Sequence, residues 1–320
     1  MHKRRHPNHT RSIAARALGL ALLLAPPATA STAVASPVRP IIRTTDVTRF
    51  YEVYDAARGR PTAEQLQADY IEPGSPGLHH LSKIRNVTGE TMAKALASHP
   101  QIFSDAKRCM GVLPDVRGRV TKALLTLNEL YPAAQFPPVT IAISRGKPVG
   151  VADSTGVIIG LEALCAVGYL NHNVEDRFVH TIAHEYTHVQ QALNSPAFYN
   201  NPKPTVLEAS LIEGAADFTA ALISKAAAFK SPYAPADKTD TKAIESKFAA
   251  DQSKTDLSQW IDNGTLTEPG NLGYWVGYRI VRSYYEHAAD KREALRDIVE
   301  IKDARAFLHK SGWHPGIQLN

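Results

Sequence analysis

The stretch from Val174 to Leu193 carries an apolar stripe at helical spacing, formed by Val174, Phe178, Ile182, Tyr186, Val189 and Leu193. Such a stripe makes a helix that must bury one face. Asn173 stands where an N-cap belongs, and "NSP" follows the last turn. The same helix carries His184-Glu185-Tyr186-Thr187-His188. Residues four apart stack on one face of a helix, so both imidazoles can reach a single ion. Glu185 lies about 100° round the helix from His184, given a 3.6-residue period. From there it touches a metal-bound water more easily than it ligates. The alternative is a surface helix with two solvated histidines. The motif thus asks for a second element close enough to complete a zinc site.

Catalytic zinc usually takes three protein ligands and keeps one position open. Downstream, "LEASLIEGAADFTAALI" (Leu207 to Ile223) reads as a helix with small residues at Ala209, Gly214, Ala215, Ala216 and Ala220. Glu213 follows His188 by enough chain for a turn, a loop and a return helix. Asp217, one turn further on, faces the same way and can accept the free N–H of a ligating histidine. Glu208 competes with Glu213 as a solvated or ligating acid, but Ile212 and not an acid stands four residues after it. The expectation is one zinc ion per chain held by His184, His188 and Glu213, with Glu185 as general base on its water. His180, one turn before His184, is expected to support the site, since a fourth ligand would close it. A hydrolase also needs an oxyanion donor. In "NLGYWVGYRIVRSYYE", Tyr274, Tyr278, Arg282 and Tyr285 share a helical face; Tyr278 is the first candidate and Tyr274 the second, with packing as their alternative role.

The first residues belong to a different category. Met1 to Arg16 holds Lys3, Arg4, Arg5, Arg11 and Arg16 and no acid, and "ALGLALLLA" follows. Pro26, Pro27 and the small-residue patterns Ala28-Thr29-Ala30 and Ala33-Val34-Ala35 complete a secretory signal peptide over residues 1–35. The apolar run is too short to span a bilayer, and no cysteine follows it to carry a lipid. The mature chain is therefore expected outside the cytoplasm, secreted or periplasmic, with no transmembrane segment. The leader holds five of the 36 Lys and Arg and none of the 31 Asp and Glu, so the formal charge of +5 comes from the leader. A basic nucleic-acid partner is not expected. Cys109 and Cys165 can form a disulfide in an exported chain or stand as two separate thiols.

Periodicity predicts short helical pieces at 46–57 and 62–70, then helices over 90–99, 115–131, 174–193, 205–228, 240–251, 271–288 and 291–309. Strands are expected at Phe136–Ser144 and Gly156–Leu164. The layout is an N-terminal helical and irregular region over 36–108 and a domain over 109–320. Within that domain the β-containing part spans about 132–165 and the helical part about 173–310. The fold class is α+β, a small sheet lobe beside a mainly helical lobe with the His184–His188 helix between them.

"AHEYTHVQQ", "LIEGAADF" and "GYWVGYRIV" together resemble the gluzincins, the thermolysin-like zinc peptidases, and among them a family of predicted Zn-dependent proteases that carries the label of a domain of unknown function. The likeness covers roughly residues 110 to 310. It implies a zincin-like fold, His184, His188 and Glu213 as zinc ligands, Glu185 as base, Asp217 orienting a histidine, and a peptide or protein substrate. It departs from the best-studied gluzincins in its longer ligand spacing and in having Ile212 where an Asn precedes the third ligand. In that family an edge strand before the active helix pairs with an extended peptide; Gly156–Gly160 is placed to be either that strand or a plain core strand. The expected function is a secreted zinc metallopeptidase, a hydrolase; the alternative is a zinc-binding, non-catalytic envelope protein, a pseudoprotease or interaction protein.

Overall fold

The structure, a computed structural model, describes residues 40–168, 172–225, 233–235, 240–264 and 270–319. The expected signal peptide at 1–35 lies outside the described residues. In chain order the first elements are β1 (Ile42–Arg43), α1 (Thr45–Ala56), α2 (Ala63–Gln65, running into a π-helical turn at Leu66–Ile71), α3 (Pro76–Arg85), α4 (Gly89–Ser98) and α5 (Pro100–Ala106). After a 3-10 turn at Lys107–Val112 come α6 (Leu113–Leu130), β2 (Val139–Ala142), β3 (Gly150–Asp153), β4 (Gly156–Gly160) and α7 (Leu161–Ala166). The rest is helical: α8 (Val174–Asn194), α9 (Pro196–Tyr199), α10 (Val206–Ser224), α11 (Thr241–Asp251), α12 (Leu272–His287), α13 (Lys291–Val299) and α14 (Ala304–Ser311). The chain is thus mixed α+β and mostly helical.

The four strands form one sheet in the order β1-β2-β4-β3. β1, β2 and β4 run parallel, and β3 is antiparallel to β4. Every residue of β2 is buried, as a strand covered on both faces requires. β4 is paired on both sides, so Gly156–Gly160 is a core strand, and the edges of the sheet are β1 and β3. No sequence signal pointed to β3, because its residues Gly150-Val151-Ala152-Asp153 are all half-buried and show no alternation.

Two expected elements change. Leu161–Leu164 continues as helix α7 and not as strand, because Glu162 turns back into the core. There its carboxylate accepts from Ser144 N (3.1 Å), Ser144 Oγ (2.5 Å) and Gly146 N (2.9 Å). That clamp fixes the loop leading into β3. The long helix at 291–309 is two, since Asp290 caps α13 and Asp303 caps α14 with a side-chain bond from Ala306 N. α3 begins inside the Pro/Gly-rich "EPGSPG", with Ser75 capping Leu78 N and Pro76 at the first helical position. Buried Asp46 then ties α1 to α3 by accepting from Ser75 N and Ser75 Oγ.

One apolar cluster joins the sheet, the N-terminal helices, α6 and the buried face of α8; a second gathers residues of α10 to α14. Cys109 and Cys165 are disulfide-bonded with Cα atoms 6.3 Å apart, linking the turn before α6 to α7. Among the described residues no helix is long and apolar enough to cross a membrane.

Candidate metal centre

α8 is the element on which the site is built. Asn173 accepts from Asp176 N at its start, and the helix packs against β3, β4 and α10. Most of its central residues are buried, His188 (6% exposed) and Glu185 (8%) included. α10 starts with a capping box, in which Glu208 accepts from Thr205 N (2.7 Å) and Thr205 Oγ1 (3.0 Å). Glu208 is thereby committed to the helix end, and Glu213 is the carboxylate that meets the histidines.

His184 Nε2 and His188 Nε2 each lie 3.3 Å from Glu213 Oε2 and 3.0 Å from one another. Tetrahedral zinc, with bonds of about 2.0–2.1 Å to nitrogen or oxygen, sets its donor atoms about 3.3 Å apart. Two imidazole nitrogens and one carboxylate oxygen at this spacing fit such an ion. They are the one group of this kind among the described residues. Asp217, 2% exposed, stands behind them with Oδ1 2.9 Å from His184 Nδ1. His180 Nε2 is 3.9 Å from the same oxygen and is buried without a hydrogen-bond partner.

The electrostatics follow from this packing. Burial disfavours the cationic form of His184, but its bonds to Asp217 and Glu213 outweigh that and hold its pKa well above the usual histidine value. Burial likewise opposes His188, and the charge of Glu213 reverses the outcome. Burial raises the carboxyls of Glu213 and Asp217, yet the facing histidines hold both below their ordinary range. Glu185 goes the other way: burial pushes it up and the two histidines only partly oppose this.

Three residues that sequence reasoning missed complete the surroundings. Gln191, 5% exposed, brings Oε1 to 2.7 Å from His188 Nδ1 and donates through Nε2 to Ile212 O at 3.0 Å. Its place three residues after His188, on the same helix face, was a usable signal. Tyr199 of α9 packs its ring 5.5 Å from that of His188 and donates to Ala152 O of β3 (3.3 Å). Gly150 lets β3 pass directly over Glu185.

The two tyrosine candidates separate. Tyr274 lies parallel to the His184 ring at 6.4 Å between centroids, while Tyr278 is buried against Phe218. Burial raises both phenols, Tyr278 to about 12. Glycine sets this arrangement: a Cβ on Gly277 would stand 1.8 Å from Ser210 O, and one on Gly214 2.1 Å from the Gly277 carbonyl carbon. α10 and α12 therefore cross backbone to backbone, which carries Tyr274 over His184.

These features define an α+β protein whose central buried helix presents two imidazoles to a carboxylate on its neighbour, a donor set that could hold a metal ion. Residues 238–315, about a quarter of the chain, match the family described as gliding motility protein GldB. No curated protein and no solved structure matches the chain. The family match corrects the resemblance to gluzincins: the family found is described by gliding motility and not by zinc-dependent proteolysis. With it the secreted metallopeptidase reading, and the description as metalloprotease and hydrolase, does not stand. The physical reason is that histidines four apart facing a carboxylate meet the needs of a metal whether or not anything is turned over. The matched stretch spans α11 to α14 and includes Tyr274 and Tyr278 but none of His184, Glu185, His188 or Glu213.

Proposed function

We propose that this chain is an exported, zinc-binding protein of the cell envelope that acts by holding its metal and a partner, without turnover. The observation that carries the reading is the donor triangle of His184, His188 and Glu213, with edges of 3.0, 3.3 and 3.3 Å. One ion per chain, bound there, supplies the positive charge that protons on the histidines otherwise provide next to Glu213 and Asp217. The zincin-like disposition of sheet, α8 and helical lobe belongs to this proposal, as does export by residues 1–35. The match of 238–315 to a gliding motility family supports an envelope role.

The test uses the mature protein purified without added zinc. Metal analysis should give one zinc per chain, lost in Glu213→Gln. Incubation with a peptide library should give no cleavage that differs between wild type and Glu185→Gln. Hydrolysis abolished by Glu185→Gln would overturn the non-catalytic reading, and absence of metal would overturn the site.

A further inference from the structure

His184 receives its orienting bond from Asp217, on the facing helix. His188 has no carboxylate at its Nδ1; its partner there is Gln191, one turn further along its own helix. The roles in this bond follow from chemistry alone. The carbonyl oxygen of Ile212 can only accept, so the Gln191 amide must present its NH2 to it, at 3.0 Å. Oε1 is then left facing His188 Nδ1 at 2.7 Å. An amide oxygen can only accept, so Nδ1 carries the proton, and in the neutral ring Nε2 keeps its lone pair toward Glu213 and His184. Ile212 immediately precedes Glu213, and Gln191 is buried. One side chain thus joins the ring of one ligand to the backbone that carries another.

We infer that Gln191 is a positioning residue for the metal site: it fixes the Nδ1–H tautomer and ring orientation of His188 and registers α10, with Glu213, against α8. This deepens the proposed metal-holding role and rests on it for its effect on affinity. Its tautomer component does not require metal. Outer partners of this kind change metal affinity by about 10- to 100-fold when removed. Gln191→Met, of similar length and without polar ends, loses both bonds. Gln191→Glu keeps an acceptor for Nδ1–H but sets a carboxylate against the Ile212 carbonyl, so it breaks the tie to α10 alone.

The experiment has two arms. Zinc affinity is measured by chelator competition for wild type, Gln191→Met and Gln191→Glu. The expected loss is about 10- to 100-fold for Gln191→Met and smaller for Gln191→Glu. In the second arm, long-range 1H–15N spectra of the metal-free proteins at alkaline pH report the His188 tautomer. Wild type and Gln191→Glu should show the Nδ1–H form, and Gln191→Met a shift toward Nε2–H. A wild-type protein with His188 in the Nε2–H form overturns the inference without any variant. So does wild-type zinc affinity in Gln191→Met. A wild type that binds no zinc but shows the Nδ1–H tautomer, lost in Gln191→Met, refutes the metal reading and upholds Gln191 as the residue that sets His188.

Discussion

Gly150 of β3 and Glu185 of α8 are in direct apposition: a Cβ added at 150 would lie 2.3 Å from Glu185 Oε1 and 2.8 Å from its Cδ. The edge strand β3 therefore runs across the buried carboxylate next to both histidines. Gly150→Ala must displace Glu185 or lift β3. Overpacking of this sort costs about 1–3 kcal/mol, measurable by urea denaturation of the metal-free protein. Pairing it with Glu185→Ala removes the obstacle, so the double variant should recover most of the loss. Additive losses would show that the strain lies elsewhere.

The crossing of α10 and α12 predicts opposite outcomes for two helical glycines. Gly277→Ala places its methyl against the backbone carbonyl of Ser210, which cannot yield. It should unfold the protein at lower denaturant by at least about 1–3 kcal/mol and move Tyr274 off His184. Gly118 lies on an exposed face of α6 with nothing within 4 Å of its would-be Cβ. Gly118→Ala should stabilise by about 0.4–1 kcal/mol. Equal effects at the two sites would refute the close-crossing argument.

Without metal, the site should make stability depend on pH with a defined sign. His184 and His188 have folded pKa values raised from 6.5. Their contribution is fully present below that value and is lost as pH climbs through the raised ones. Glu213 and Asp217 are lowered from 4.5 and 3.8, so theirs is present above those values and lost as pH falls. Thermal melts of metal-free protein should therefore decline on the alkaline side of about 6.5. Glu213→Gln should flatten that decline. A melting temperature that climbs through the same range would contradict the coupling.

Zinc should stabilise the fold by mass action, by about 2.7 kcal/mol at a free concentration one hundred times the dissociation constant, and so raise the melting temperature. His184→Ala and His188→Ala should abolish the effect, whereas His180→Ala should leave most of it.

The disulfide closes a loop of 56 residues in separation. Replacing both Cys109 and Cys165 by alanine should cost about 4 kcal/mol in the chain-entropy model. Equilibrium unfolding of the double variant, against wild type under oxidising conditions, gives the number. Loss of only a few tenths would mean that packing alone holds the turn before α6 on α7.

Helices with a long stripe and clear caps were legible from sequence. α8 was expected over 174–193 and runs to Asn194, capped by Asn173; α11 and α12 lie within a residue of expectation. Elements without periodicity were not: β3 is half-buried throughout at its edge position, and the Leu161-Glu162-Ala163-Leu164 stretch of α7 is apolar enough for either state. Only the clamp from Glu162 onto Ser144 and Gly146 shows why the helix wins.

In the site itself, the sequence determined that His184 and His188 share a helix face with Glu185 beside them, because helical periodicity is a local property of the chain. The tertiary structure decided which carboxylate joins them, since Glu208 is taken by the Thr205 cap and Glu213 is not. It also decided which tyrosine reaches them, because Gly214 and Gly277 set the crossing that brings Tyr274 to His184 and buries Tyr278. The Gln191 tie to Ile212 belongs to that second kind. Its distance depends on how two helices pack side by side, and no spacing along one chain encodes that separation.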